Sequence, residues 1–353
     1  MIKLNLSTIK KLDKSNMLGI ILDFPGLCKE GYENGLKFKN DISIHSIKNI
    51  IFCGLGGSAQ GADLIRSFLL DKISLPMVVD RDYTIPKFVD SETLVFIISY
   101  SGNTEETIST YNIAKQKTKN IIVIASGGKL KEYALNDGFS FISVKPGYPP
   151  RGAFPLTFFT LLGVFVALGL TSDKKLDLDQ TITVLENLKK ELSPEVKNRD
   201  NLAKRIALDM VGRFTVIYSA NEHFDAVVTR FRGQLAENAK SLSSSALIPE
   251  MNHNEIVGWE NPKKIIKNFV VLILRDSSMH ERVLKRIEIT KRILSYEAHK
   301  VIEINSEGES LLSRICSLIY IGDFISLYLA ILNKIDPTPV KRIDFLKNEL
   351  AKE

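Results

Sequence analysis

Two short stretches near the start of the chain carry residue types that bind anions. Gly54-Leu55-Gly56-Gly57-Ser58 follows the apolar run Asn49-Ile50-Ile51-Phe52-Cys53, and Ser99-Tyr100-Ser101-Gly102-Asn103-Thr104 follows Leu94-Val95-Phe96-Ile97-Ile98. Each leads into a helical pattern. Glycines and hydroxyls between a strand and a helix offer free backbone N–H groups, side-chain donors and the positive helix end to one anion. The expected phosphate ligands are Gly56, Gly57 and Ser58 from the first loop with Ser99, Ser101 and Thr104 from the second. Five hydroxyl side chains within the nine residues Ser99 to Thr107 favour a phosphomonoester. Serine and threonine at such places often only cap the next helix, but here both loops combine hydroxyls with glycine.

The first loop also fits a looser dinucleotide fingerprint, from Gly54 to Ala59, with Asp80 ending the next β run. That pattern alone is weak, and a dinucleotide site would leave the second loop without a task.

The elements that must position these loops read as an α/β fold. Apolar runs at 49–53, 76–80, 94–98, 120–125 and 140–144 alternate with helical patterns at 60–71, 104–116 and 129–136, which is the signature of a mainly parallel sheet flanked by helices. Ligands of such sheets bind at the carboxyl ends of the strands. Residues 171–200, rich in Lys, Asp and Glu with leucines at helical spacing, read as a connector. A second lobe follows, with β runs at 214–218, 269–274 and 300–304 and helices at 222–241 and 279–295. The expected domains are therefore 1–170, with an N-terminal extension and the anion loops, the connector 171–200, and 201–353 with a helical tail. Ser219-Ala220-Asn221 and Arg275-Asp276-Ser277-Ser278 take the places of the two anion loops without their glycines, which points to a duplication in which one lobe kept the anion site.

Composition narrows the class. The 353 residues are 44% hydrophobic and 25% charged, as in an ordinary globular chain long enough for two domains. A net charge of +6 without a long basic run, and with a single Trp, favours an anionic small substrate over nucleic acid. Cys28, Cys53 and Cys316 are too dispersed for a disulfide framework or a metal site, so a reducing cytoplasm, no metal and no cofactor are expected. Met1 to Lys14 lacks the apolar core of a signal peptide. The uncharged stretch Phe154 to Leu170 falls short of the roughly 20 residues that span a bilayer and reads as a core helix, with no membrane partner.

Beyond the two loops, four segments resemble one family in order and spacing: Pro149-Pro150-Arg151-Gly152-Ala153-Phe154-Pro155, Gln234-Leu235-Ala236-Glu237-Asn238-Ala239-Lys240, Asn252-His253-Asn254-Glu255 and the tail DPTPVKRIDFLK. Together with GLGGSAQGADLI and SYSGNTEET they resemble the SIS (sugar isomerase) fold, and within it the bifunctional phosphoglucose/phosphomannose isomerases, over nearly the full length. The loops mark the fold; the other four segments mark the isomerase branch.

The resemblance implies two SIS-type lobes, a homodimer and a metal-free aldose–ketose isomerisation between fructose 6-phosphate and glucose or mannose 6-phosphate. It assigns Glu237 as the base that moves a proton between adjacent carbons through a cis-enediolate, a task for a carboxylate tuned toward the working pH. It assigns His253 to ring opening, reaching the site of the neighbouring subunit, and Arg151 to stabilising the enediolate. Two prolines before Arg151 and Gly152 after it restrain the backbone that aims its guanidinium. Lys347 matches the lysine of the terminal IxxLK pattern and is expected to assist ring opening or contact sugar hydroxyls. Thr338 is the nearest tail hydroxyl, while an alternative register puts Val340 where other members carry threonine. A sugar-phosphate-binding regulator without catalysis would disrupt Glu237, His253 or Arg151, and a nicotinamide-dependent dehydrogenase would be stabilised by its cofactor.

Overall fold

A computed structural model describes residues 3–39 and 42–352. Helices α1 (Leu6–Leu12) and α2 (Met17–Leu22) come first, and α3 (Phe24–Leu36) leads into β1 (Asn49–Cys53), α4 (Gly56–Phe68), β2 (Met77–Asp80) and β3 (Thr93–Ile98). Then follow α5 (Glu105–Ala114), β4 (Ile121–Ala125), α6 (Gly128–Asn136), β5 (Ser140–Ser143), α7 (Phe154–Ala167) and α8 (Lys175–Leu192). The chain divides into two units, the first made of Asp23–Val184 and Gly308–Ser313.

The sheet of the first unit is wholly parallel, in the order β2-β1-β3-β4-β5. Its central strands β3 and β4 are buried along their whole length, as continuous Ile and Val runs require when helices cover both faces. Side chains alternate between those faces. Ile51, Cys53, Val95, Ile97, Ile121 and Val123 pack on one side with Tyr111 and Ala114 of α5 and Leu130 and Ala134 of α6. On the other side Phe52 and Phe96 stack with Phe165 of α7 at centroid separations of 5.2 to 6.1 Å. Helix α4 packs against α7, so the connections leaving β1 and β3 turn to opposite faces. The gap between those two strand ends is the topological switch point, the place where ligands of open parallel sheets bind.

Helix α7 is the apolar helix expected from sequence, and it runs through Gly163. A side chain on Gly35 of α3 would come within 2.1 Å of the Thr160 carbonyl oxygen and 2.8 Å of the Gly163 Cα, so the two helix backbones are in contact there.

The second unit comprises the described residues up to Leu22, Leu185–Glu307 and those from Arg314 on. These units differ from the expected domains in three respects: the N-terminal helices group with the second unit, the division falls inside α8, and Gly308–Ser313 groups with the first unit. Amphipathic helices such as α1 and α2 bury Ile9, Met17, Leu18 and Ile21, but their pattern does not say into which core. The second unit contains α9 (Leu202–Met210), β6 (Phe214–Ala220), α10 (Asp225–Glu237), β7 (Ser243–Ile248), two single turns α11 (Glu255–Gly258) and α12 (Lys263–Ile266), β8 (Phe269–Arg275), α13 (Glu281–Glu297) and β9 (Lys300–Asn305). It ends with α14 (Leu311–Leu332) and α15 (Lys341–Leu350). Helix α14 has the length and composition to cross a bilayer, yet 94% of its most apolar stretch is buried within the protein, as in a core helix.

Its parallel sheet runs β7-β6-β8-β9, the same order as β2-β1-β3-β4. Strand β7 lies outside the runs expected from sequence because Ser243-Ser244-Ser245 carries no apolar signal; it is a partly exposed edge strand, like β2. The loop after β8 thus takes the place of Ser99–Thr104, and it contains an anion of its own. The Asp276 carboxylate accepts hydrogen bonds from the Ser278 backbone N–H (2.8 Å), the Ser278 and Ser306 hydroxyls (2.5 Å each) and the Arg314 guanidinium (2.8 Å). Desolvation alone would raise its pKa, but the bonds from Ser278 and Ser306 and the Arg314 charge outweigh it, and the group lies below the ordinary carboxylate range.

Two outcomes follow from this packing. Gly35→Ala must push α3 off α7, with an expected loss of about 1 to 3 kcal/mol read as a lower urea midpoint. Because the pKa of Asp276 is depressed on folding, its contribution is complete above about pH 3.9 and disappears as pH falls through the folded-state value. Asp276→Ala removes a buried carboxylate from the Arg314 guanidinium and should cost about 3 kcal/mol at pH 7. The gap between variant and wild type should narrow on acidification in pH-dependent urea titrations.

Candidate active site

In the first unit the two glycine-hydroxyl loops are stitched together. Helix α4 starts at Gly56, directly after β1, so its first N–H groups face the strand end. The Ser58 Oγ accepts the Tyr100 N–H at 3.0 Å, which joins the first loop to the second and leaves the serine its own hydrogen to donate. The Ser99 and Thr104 hydroxyls bond to each other at 2.8 Å, and Ser99 Oγ also accepts the Gly102 N–H at 3.2 Å. Gly102 has a φ of +69° and a side chain there would reach 1.8 Å from the Gly127 carbonyl oxygen, so only glycine fits the turn.

The same loop aims Arg151. The Tyr100 hydroxyl donates to the Lys145 carbonyl (2.8 Å) and accepts the Tyr148 N–H (3.1 Å), which fixes the segment running into Pro149-Pro150-Arg151. A side chain at Gly57 would lie 2.7 Å from the Pro150 carbonyl oxygen and 3.1 Å from the Arg151 nitrogen. The turn closes when the Pro149 carbonyl accepts the N–H groups of Gly152 and Ala153, and α7 begins at Phe154. Arg151 is only 2% exposed, a burial that its sequence context does not announce.

All six expected phosphate ligands therefore lie in one assembly, in unequal settings. Gly56 and Ser101 are exposed and Thr104 is half-buried, whereas Gly57, Ser58 and Ser99 are buried and brace the loops. Asp80, the acid that a dinucleotide site would need, has a buried Oδ2 without a hydrogen-bond partner. Burial pushes its carboxyl up, which disfavours the ionised form that accepts ribose hydroxyls.

In the second unit Glu237 is the last residue of α10 and is half-buried. One face of α10 is tied to α14 by buried polar groups. The Arg230 guanidinium donates to both Asp323 oxygens (3.1 and 2.8 Å), Gln234 Nε2 donates to the same carboxylate (2.7 Å), and Asn238 Nδ2 donates to Ser326 Oγ (3.0 Å). Glu237 lies between Gln234 and Asn238, so the helix end that would otherwise fray is fixed on both sides of the carboxylate.

His253 closes a single 3-10 turn, Glu250–His253, after β7, and it is exposed. Its neighbours anchor the turn. Asn252 Nδ2 donates to Thr290 Oγ1 of α13 (2.9 Å), while Glu255 accepts from the Tyr218 hydroxyl (2.5 Å), which in turn accepts from the Trp259 indole (2.9 Å). Burial, and then the Glu255 carboxylate, push the Tyr218 phenol up, so it stays a donor. In the Asn-His-Asn-Glu motif the flanking residues hold the backbone and the histidine faces outward.

Thr338 is half-buried next to the buried Pro337, and its N–H bonds Asp336 Oδ1 at 3.1 Å. The Lys240 ammonium links this tail segment to the end of α10. Lys347 lies on α15, none of whose residues is buried. Among the described residues no group of three or more His, Cys, Asp and Glu side chains is placed to hold a metal ion. The sequence reading missed Asp323, Tyr100 and Lys240 as parts of this framework; Tyr100 and Lys240 lie inside motifs that it quoted, whereas Asp323 had no local signal.

Comparison with known proteins agrees with this architecture. Residues 43–136 match the SIS domain family, and residues 199–350 match the bacterial phospho-glucose isomerase C-terminal SIS domain. A hypothetical protein from Thermus thermophilus shares the fold, with a TM-score of 0.74 at 14% identity, covering 98% of this chain and 93% of its own. The bifunctional phosphoglucose/phosphomannose isomerase of Caldicellulosiruptor bescii is 44% identical over 95% of this chain and 99% of its own length. That of Aquifex aeolicus is 37% identical over 92% and 97%. With identity at these levels running through both lobes and the tail, the chain belongs to the bifunctional phosphoglucose/phosphomannose isomerase family.

Proposed function

We propose that this chain is an aldose–ketose isomerase that interconverts glucose 6-phosphate and mannose 6-phosphate with fructose 6-phosphate. The observation that carries the reading is the pairing of two features in a chain of this family. One is an anion cradle built from two loops at a parallel-sheet switch point, and the other is a carboxylate on a helix end braced by a buried polar network.

The Gly56–Ser58 and Ser99–Thr104 loops hold the 6-phosphate through backbone N–H groups, hydroxyls and the start of α4. His253 protonates the ring oxygen as the hemiacetal opens. Glu237 then removes the proton from C2 of the aldose, giving a cis-enediolate, and returns it to C1 while the O2 hydroxyl proton passes to O1, so one carboxylate serves both carbon transfers and the substrate is neither oxidised nor reduced overall. Arg151 stabilises the enediolate oxygens; a guanidinium withdrawn from water acts in a low dielectric, where charge stabilisation is strongest. Rotation about C2–C3 in the enediolate, or room for either C2 hydroxyl near Thr338, lets one base serve both epimers. Lys347 assists ring opening or contacts sugar hydroxyls.

The working assembly is a homodimer in which His253 completes the neighbour's site. Its exposure on an anchored turn supports this, as does α15, where Phe345 and Leu346 are 66% and 59% exposed and apolar surface is left for a partner. Three buried cysteines in the thiol form fit a reducing cytoplasm and a place in central carbohydrate metabolism.

The test is a coupled assay with EDTA present, following fructose 6-phosphate formed from each aldose. Wild type should act on both, and Glu237→Gln should lose about 10³-fold in kcat. Arg151→Ala should lose about 10²- to 10³-fold. Activity on glucose 6-phosphate alone would remove the second specificity. Inactivity on both sugars would favour a sugar-phosphate-binding regulator, or, with cofactor-dependent stabilisation, a dehydrogenase.

A further inference from the structure

We propose that Lys240 is a positioning residue, a strap that sets the tail segment Asp336–Thr338 against the turn carrying Glu237. The inference rests on the reading of Glu237 as the base and deepens it. Lys240 follows the end of α10 with a φ of +52°, in the left-handed region. The Ser241 N–H returns to the Leu235 carbonyl at 3.0 Å, six residues back, so Lys240 is the left-handed residue inside a wider turn that closes the end of α10. A lysine there carries a modest backbone cost that glycine would not.

The Lys240 ammonium donates to the carbonyl oxygens of Glu237 (2.7 Å), Asp336 (3.2 Å) and Pro337 (2.8 Å). Ordinary helix capping accounts only for the first of these. The other two reach across 96 and 97 residues of sequence to the segment that presents Thr338. Asn333 at the end of α14 adds a parallel tie, donating to the Ala239 carbonyl at 3.1 Å. The placement of the tail hydroxyl relative to the carboxylate is thereby fixed through one cation. Lys334 supplies an internal comparison: it too has a left-handed backbone at a helix end, with a φ of +60°, but it makes no such strap among the described residues.

The experiment compares Lys240→Gly with Lys334→Gly in the full chain. Both relieve the same backbone strain. Lys240→Gly should keep a melting temperature near that of wild type but lose between about tenfold and a hundredfold in kcat, with KM changed far less. Amide exchange at 336–340 should accelerate, and added ethylamine should restore part of the rate. Lys334→Gly should leave the kinetics unchanged. Lys240→Asn, which also tolerates the left-handed backbone, replaces the glycine variant if that fails to fold. Wild-type kcat in the Lys240 variants, or a lost kcat with unaltered tail exchange, overturns the strap. Full activity in Glu237→Gln would instead overturn the reading of the base, and with it the premise.

Discussion

A sugar phosphate brings a nearly doubly charged anion into the protein, and what holds that anion decides what each half of this molecule can do. In the first unit the strand order sends α4 and α5 to opposite faces and leaves the ends of β1 and β3 open between them. The loops there are braced from within, by Ser58 to Tyr100 and Ser99 to Thr104, so their remaining donors are preset rather than recruited on binding. The second unit repeats the strand order, but the corresponding loop is satisfied by its own carboxylate, Asp276, with Arg314 and two serines around it. One copy of the fold keeps the glycine-hydroxyl loops, and the other has internalised a carboxylate.

The second unit carries the carboxylate proposed as the base. Its device is a rigid helix end. Arg230, Gln234 and Asn238 lie along one face of α10 and are tied to α14, and a buried pair such as Arg230 with Asp323 is valuable less for net stability than for the single arrangement it permits. The half-buried Glu237 inherits that rigidity. Catalysis by positioned proton transfer depends on such placement more than on the intrinsic strength of the base.

Much of this was legible in the sequence because it is written locally. Strands β1, β3 and β4 are Ile, Val and Phe runs that only a doubly covered sheet requires, and the anion loops combine glycine and hydroxyl within a few residues. Strand β7 was not legible, since a serine-rich edge strand has neither a continuous apolar run nor a clean alternation. Nor was the allegiance of α1 and α2, whose apolar faces would suit either core. Of the site, Glu237 looks like any helical glutamate and was singled out only by family resemblance. Asp323 stands 93 residues from Arg230, and a partnership over that distance has no local pattern. The burial of Arg151 is likewise a tertiary fact, set by Gly57 and Tyr100 bringing the turn inward.

The measurement that tests the account most directly is a calorimetric titration of fructose 6-phosphate into the Glu237→Gln variant. The account predicts one site per chain, with an affinity close to the wild-type KM, because the phosphate is held by loops that the substitution does not touch and the second cradle is already filled. Two sites per chain, or loss of binding together with the base, would contradict it.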